Sequence, residues 1–319
     1  MNVLVLGGAG FLGSNLVRRC LVEPHAHVTV LDSMEPRLHS TLDGLKDVLA
    51  RIGFIQGDML NERLIGELVC GQDVIFNCAA QTSHPLSIKE PLFDAQINCL
   101  GNLKVLEAVR RYNPTAVIVY TSSSTVIGKA VGDVVDETHG ERPLDIYSAN
   151  KGVAEKYYRI YSRVHDLKTV MLRFANLYGP YGKGYSEFGF INYFIDLARR
   201  DGEIPVFGAG DQTRNVLYVE DACDILLRSA FEPRLIGEVF YAVSDEHLSV
   251  LEIAQTIVRV LGRGRVTQVA WPDERRRIEV ERVLISSARL REITRWRPRY
   301  SFEEGLARTK EVLERSLQP

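Results

Sequence analysis

The amino terminus reads N-V-L-V-L-G-G-A-G-F-L-G-S-N-L-V-R-R-C, Asn2 to Cys20, and the way this stretch divides decides the fold. Val3 to Leu6 is an apolar run without polar alternation, which predicts a strand covered on both faces. The run S-N-L-V-R-R-C-L that follows has helical spacing. Between them lies G-x-x-G-x-x-G, with Gly7, Gly10 and Gly13 straddling the strand end and the helix start. Glycines there permit a tight turn and let backbone N–H groups approach a pyrophosphate, which also meets the positive end of the helix dipole. A bound dinucleotide is therefore expected, touched by Gly7, Gly10, Phe11, Leu12 and Gly13.

Outward from this turn, short β-branched runs recur at 27–32, 54–58, 73–80, 116–124 and 169–174, with helical patterns such as 102–112 between them. Alternation of this kind predicts an α/β fold with a doubly wound parallel Rossmann sheet. Past residue 176 glycine, proline and aromatic residues thicken in N-L-Y-G-P-Y-G-K-G-Y, and helices are expected near 191–200, 221–231, 249–261 and 301–315. The predicted division is an NAD-binding domain over 1–175 plus about 217–245, and a smaller, interleaved α/β substrate-binding domain over 176–216 and 246–319.

A chain of 319 residues is long enough for this arrangement. Its net charge of −2 gives no field for nucleic acid. The longest apolar runs are too short to span a bilayer, and the first residues lack a basic leader, so a cytoplasmic protein without a membrane partner is expected. Five scattered cysteines and seven histidines show no metal-ligand spacing. No metal is expected, and no histidine is assigned to catalysis.

Asp32 closes the second predicted strand, where a carboxylate accepts the adenosine ribose hydroxyls and repels a 2′-phosphate. NAD rather than NADP follows, unless Arg37 swings in. Asp58, in Q-G-D-M, is placed to meet the adenine amino group, with a helix N-cap as its alternative use. Met59, Ala79, Ala80 and Asn98 are assigned to the same cofactor.

The stretch D-I-Y-S-A-N-K-G puts Tyr147 and Lys151 on one helical face. For a phenol of pKa near 10 to act as a base at neutral pH, its pKa must fall by about 3 pH units, roughly 4 kcal/mol. One ammonium ~6 Å away supplies ~2.8 kcal/mol at an effective dielectric near 20. An oxidised nicotinamide beside it would supply the remainder. The third group should be a hydroxyl at the end of the fifth strand, where Y-T-S-S-S-T-V-I-G offers Ser122, Ser123, Ser124 and Thr125.

G-G-A-G-F-L-G, Asp32, T-S-S-S-T-V-I-G, Y-S-A-N-K and L-R-F-A-N-L-Y-G-P together resemble the extended short-chain dehydrogenase/reductases that modify nucleotide-sugars. The overall likeness is to the UDP-galactose 4-epimerase type, with some to CDP-tyvelose 2-epimerase around N-C-A-A-Q-T-S-H-P. The resemblance implies catalysis by Ser123, Tyr147 and Lys151, and substrate contacts from Ser124, Asn176, Arg214, Arg275 and Arg282. It also implies a homodimer built from helices containing 94–112 and 147–165. Two departures bear on the reaction. Dehydratases of this kind carry T-D-E where this chain has Ser123-Ser124-Thr125, and the usual R-D-F or R-D-Y is Arg214-Asn215-Val216. The expected activity is NAD-dependent epimerisation of a nucleotide-sugar, at C4 of a UDP-hexose. CDP-sugar 2-epimerisation and reduction of a 4-keto sugar are the alternatives, ahead of 4,6-dehydration or a non-catalytic nucleotide-binding role.

Overall fold

The computed structural model describes residues 1–130, 134–271 and 284–315. In chain order the strands are β1 (Asn2–Leu6), β2 (His27–Asp32), β3 (Gly53–Gln56), β4 (Val74–Asn77), β5 (Val117–Ser123), β6 (Val134–Val135), β7 (Lys168–Phe174), β8 (Asn176–Tyr178), β9 (Glu203–Phe207), β10 (Thr213–Tyr218), β11 (Val239–Ala242), β12 (His247–Ser249), β13 (Arg265–Val269) and β14 (Leu284–Ile285). The helices are α1 (Phe11–Cys20), α2 (Glu62–Val69), α3 (His84–Lys89), α4 (Pro91–Ala95), α5 (Asn102–Tyr112), α6 (Ile146–His165), α7 (Phe190–Arg199), α8 (Val219–Ser229), α9 (Val250–Leu261), α10 (Ala288–Thr294) and α11 (Phe302–Arg315).

Seven strands form one parallel sheet in the order β11-β7-β5-β4-β1-β2-β3. Alternate residues of β1 serve opposite faces: Val3 and Val5 pack with Leu16 and Val17 of α1 and Ala222 and Leu226 of α8. Leu4 and Leu6 pack with Ile65 of α2, Leu106 of α5 and Tyr158 of α6. Both faces are apolar, which is why β1 shows no polar alternation. Strand order reverses between β1 and β4, and a doubly wound sheet opens its binding crevice at such a reversal.

A second lobe carries β8, β10 and β12 in one small sheet, the parallel pair β9 and β13, and helices α7, α9 and α11. The chain leaves the large sheet after β7, returns through α8 and β11, and leaves again. The connection 179–189 between β8 and α7 is irregular and lies on the crevice between the lobes.

Candidate functional site

A cavity of about 640 Å³ runs along the carboxyl ends of β1, β4, β5 and β7, and a smaller one of about 170 Å³ along those of β2 and β3. Both are lined by Gly7, Gly10, Cys78, Ala80 and Lys183, so they meet over the glycine turn. Gly7 has φ +73°, and a Cβ there would stand 2.6 Å from the Ala79 backbone; one on Gly13 would stand 2.2 Å from the Gly7 carbonyl oxygen. Only glycine allows this turn to close against α1. The N-cap of helix α1 is Gly10, which offers no side-chain cap and leaves first-turn N–H groups for an anion.

Asp32 is buried, with Oδ2 accepting from the Ala9 N–H (3.0 Å) and Oδ1 from the Met34 N–H (2.9 Å). Burial raises its pKa, and those two N–H groups and Lys183 act in the opposite direction. Each oxygen keeps a lone pair for a ribose hydroxyl. Arg37 is held by Glu35 and Glu90 and covers the Phe93 ring at 3.5 Å. Asp58 and Met59 line the smaller cavity. Asp58 accepts from the Leu60 N–H (2.8 Å), while the N-cap of α2 is Asn61. A dinucleotide fits these residues: the turn takes its pyrophosphate and Asp32 its adenosine ribose.

Phe11, Leu12 and Gly13 line the large cavity, Ala79 the smaller and Ala80 both. Asn98 sits one layer behind, fully buried in a π-helical turn over Gln96–Gly101, where its amide donates to the Gln81 carbonyl (2.9 Å).

Ser123, Ser124, Tyr147 and Lys151 all face the large cavity. Asp145 caps α6 by accepting from the Ser148 N–H (2.7 Å), which starts the helix one residue before Tyr147 and puts Lys151 a turn further on. The Ser123 hydroxyl accepts from the Thr125 N–H (3.2 Å) and shares a proton with the Thr125 hydroxyl (2.8 Å). Burial raises the Tyr147 pKa well above the phenol value, the Ser123 hydroxyl lowers it, and the carboxylates of Asp145 and Asp94 raise it. The buried Lys151 ammonium donates to the Thr121 carbonyl (2.6 Å) over the Tyr120 ring at 4.4 Å. Burial pushes its pKa down to about 8. Desolvation thus opposes ionisation of both groups, against the charge attraction expected from the sequence.

Asn176 and Arg214 also line the large cavity, from β8 and β10. The Asn176 amide donates to the Asn215 carbonyl (2.8 Å), and one Arg214 guanidinium nitrogen donates to the Thr213 carbonyl (2.8 Å). Asn215, where the resembled family usually carries aspartate, donates to the carbonyls of Ser244 (2.7 Å) and Glu246 (3.1 Å), which a carboxylate cannot do. Arg275 and Arg282 lie outside the described residues.

Sequence reasoning passed over three neighbours of this site. His84 packs edge-on to Tyr147, with ring centroids 4.8 Å apart, and its Nδ1 lies 2.5 Å from Asp145 Oδ2. Behind β5, Glu155 accepts from the Ser122 hydroxyl (2.5 Å) and pairs with the buried Arg173 (2.6 Å). Lys183 stands where the cavities join. A lone histidine or lysine without ligand spacing carries no signal of its own; only the proximity of His84 to a helix-capping aspartate in space marks it.

Residues 3–240 match the model of the NAD dependent epimerase/dehydratase family. The chain is 30% identical over its whole length to a UDP-glucose 4-epimerase of Mycolicibacterium smegmatis, itself covered entirely. It is also 30% identical to a dTDP-glucose 4,6-dehydratase of Streptomyces niveus, over 98% of this chain and 92% of that one. Among solved structures, the UDP-glucose 4-epimerase of Thermotoga maritima with UDP-glucose superposes with a TM-score of 0.90 at 27% identity, over 100% of both chains.

Proposed function

The chain belongs to the NAD-dependent epimerase/dehydratase family, whose members act on nucleotide-sugars, and from that premise we propose that it epimerises a UDP-hexose at C4 through a transient keto sugar. The observation that carries this reading is the end of β5, where hydroxyls of Ser123, Ser124 and Thr125 stand beside Tyr147. Elimination of water would need a carboxylic acid and a base there. Among the described residues the acids lining the large cavity are Asp145, engaged by α6 and His84, and the exposed Glu187.

NAD, which the glycine turn and Asp32 would hold, would supply the acceptor and donor of the hydride at the sugar carbon. Positive charge from Lys151 and from an oxidised nicotinamide would have to outweigh the burial that raises the Tyr147 pKa; with it, Tyr147 takes the proton of the hydroxyl on that carbon and gives it back after the keto sugar has turned. Ser123 donates a hydrogen bond to the same oxygen, stabilising it as charge develops. Lys151, anchored on the Thr121 carbonyl, supplies positive charge beside the nicotinamide end. Asn176 and Arg214 hold the substrate diphosphate, Arg214 through its planar fork of donors.

The test is a panel of sugar-nucleotides followed by NMR. UDP-glucose and UDP-galactose should interconvert with no net NADH consumed. Stoichiometric consumption of NADH, or turnover of CDP-sugars alone, would overturn the reading. Dehydration is the second reading, favoured by the His84–Asp145 pair, an imidazole backed by a carboxylate on the cavity wall. It requires a 4-keto-6-deoxy product from dTDP-glucose that His84→Asn abolishes.

We also propose a cytoplasmic homodimer. Ile88, Leu92, Leu100, Tyr112, Ile160 and Val164 are exposed on or between helices α3 to α6, a face a second copy would cover. Light scattering should give twice the chain mass, and Leu92→Glu should halve it.

A further inference from the structure

We propose that Lys183, from the smaller lobe, binds the pyrophosphate of the dinucleotide and clasps the cofactor beneath the connection that carries it. Five residues line both cavities, and Lys183 is the charged one among them. With the adenosine ribose at Asp32 and the nicotinamide at Tyr147, the pyrophosphate crosses the junction over Gly7 and Gly10, which line both cavities together with Lys183. This rests on reading the two cavities as one dinucleotide site.

The ammonium is short of counter-charge. It donates to the Leu38 carbonyl and lies 4.9 Å from the Phe188 ring centre, and among the described residues no carboxylate comes within ion-pair distance. Asp32 acts on it from further off, and burial lowers its pKa. A partly desolvated cation on a cavity wall gains most from an anionic ligand. Its position is fixed by contacts of the same connection with the first lobe. Tyr185 stacks on His39 at 4.1 Å, Phe188 meets that ring edge-on at 5.8 Å, Arg18 covers Tyr181 at 4.0 Å, and the Pro180 carbonyl accepts from Asn15 (3.0 Å). Release of the dinucleotide then requires this connection to lift, which suits a reaction that returns its hydride in every turnover.

The experiment compares the unaltered chain with Lys183→Gln and Lys183→Arg, measuring Kd for NAD+, adenosine and UDP separately. Loss of one charge-assisted contact should weaken NAD+ about tenfold in the glutamine variant, with adenosine and UDP unchanged and arginine restoring most of the affinity. Weakened UDP with unchanged NAD+ would assign the ammonium to the substrate diphosphate. Equal weakening of adenosine would reduce Lys183 to a structural role. Either result overturns the proposal. Should the glutamine variant not fold, acetic anhydride labelling of the unaltered protein, read by peptide mass spectrometry, decides: NAD+ should protect Lys183, and protection by UDP alone would overturn it.

Discussion

The wall of the cavity made by β5 and α6 and the wall made by the 179–189 connection are held by different means. On the first, buried hydrogen bonds tie the end of one regular element to the start of another: Lys151 to the Thr121 carbonyl, Ser122 to Glu155, Asp145 to the first turn of α6. On the second, an exposed ring stack at the rim holds irregular backbone in place, with main-chain carbonyls of Pro180 and Leu38 accepting across the lobes beneath it. Buried polar ties in a low dielectric fix positions to the tolerance that proton transfer needs, whereas rim contacts are exchanged with water and can open. The difference teaches that chemistry and grip reside on separate walls. Substitutions on the first should stop turnover while ligand stays bound, and those on the second should loosen ligand first.

The sharpest test of that separation is Tyr147→Phe. Removing the proton acceptor should lower kcat by about 10²- to 10⁴-fold with NAD+ content after gel filtration unchanged. A variant that turns over normally, or loses its NAD+, would break the comparison. Next in size is Arg173→Met. Arg173 is 3% exposed and its guanidinium bonds Glu155 through two nitrogens, at 2.9 and 2.6 Å, with Glu141 (2.7 Å) and the Tyr241 hydroxyl (3.1 Å) as further partners. Its loss leaves the Glu155 carboxylate buried without a cation behind the catalytic strand end, a cost of about 3 to 5 kcal/mol. Urea unfolding should show it. The double variant Arg173→Met/Glu155→Leu should recover most of the loss, and failure to do so would mean that packing rather than charge ties this wall together.

The sheet and its glycine turn were legible because each element announces itself within its own few residues. Val3–Leu6 and Gly7, Gly10 and Gly13 need no distant partner to be read, and the expected helix over 102–112 coincides with α5. Tyr147 and Lys151 were legible because a helical repeat places them on one face. Lys183 and His84 were not, since tertiary contact alone positions them: one sits at the junction of two cavities and the other beside an N-cap that is sixty-one residues away in sequence. Asp32 shows the limit of a motif from the other side. Its carboxylate also braces the turn through Ala9, a use that spacing from the glycines does not reveal.

The smallest expected effect separates the cost of the catalytic wall from its use. Burial holds the Lys151 pKa at about 8 against an ordinary value of 10.5, so between those values the unfolded chain binds the proton more strongly than the folded one. Below pH 8 the folded protein carries the full cost of a buried ammonium, and stability contributed by this group rises with pH until about 10.5. By linkage the cost is on the order of 3 kcal/mol, already net of what the ammonium gains from its partners in the folded state. Lys151→Met should therefore raise Tm by a few degrees at pH 7 and flatten the rise of stability with pH, while turnover is lost. If Tm falls instead, the ammonium is a structural tie of this wall as much as a catalytic one, and the separation between chemistry and grip does not extend to what holds the sheet-borne wall itself.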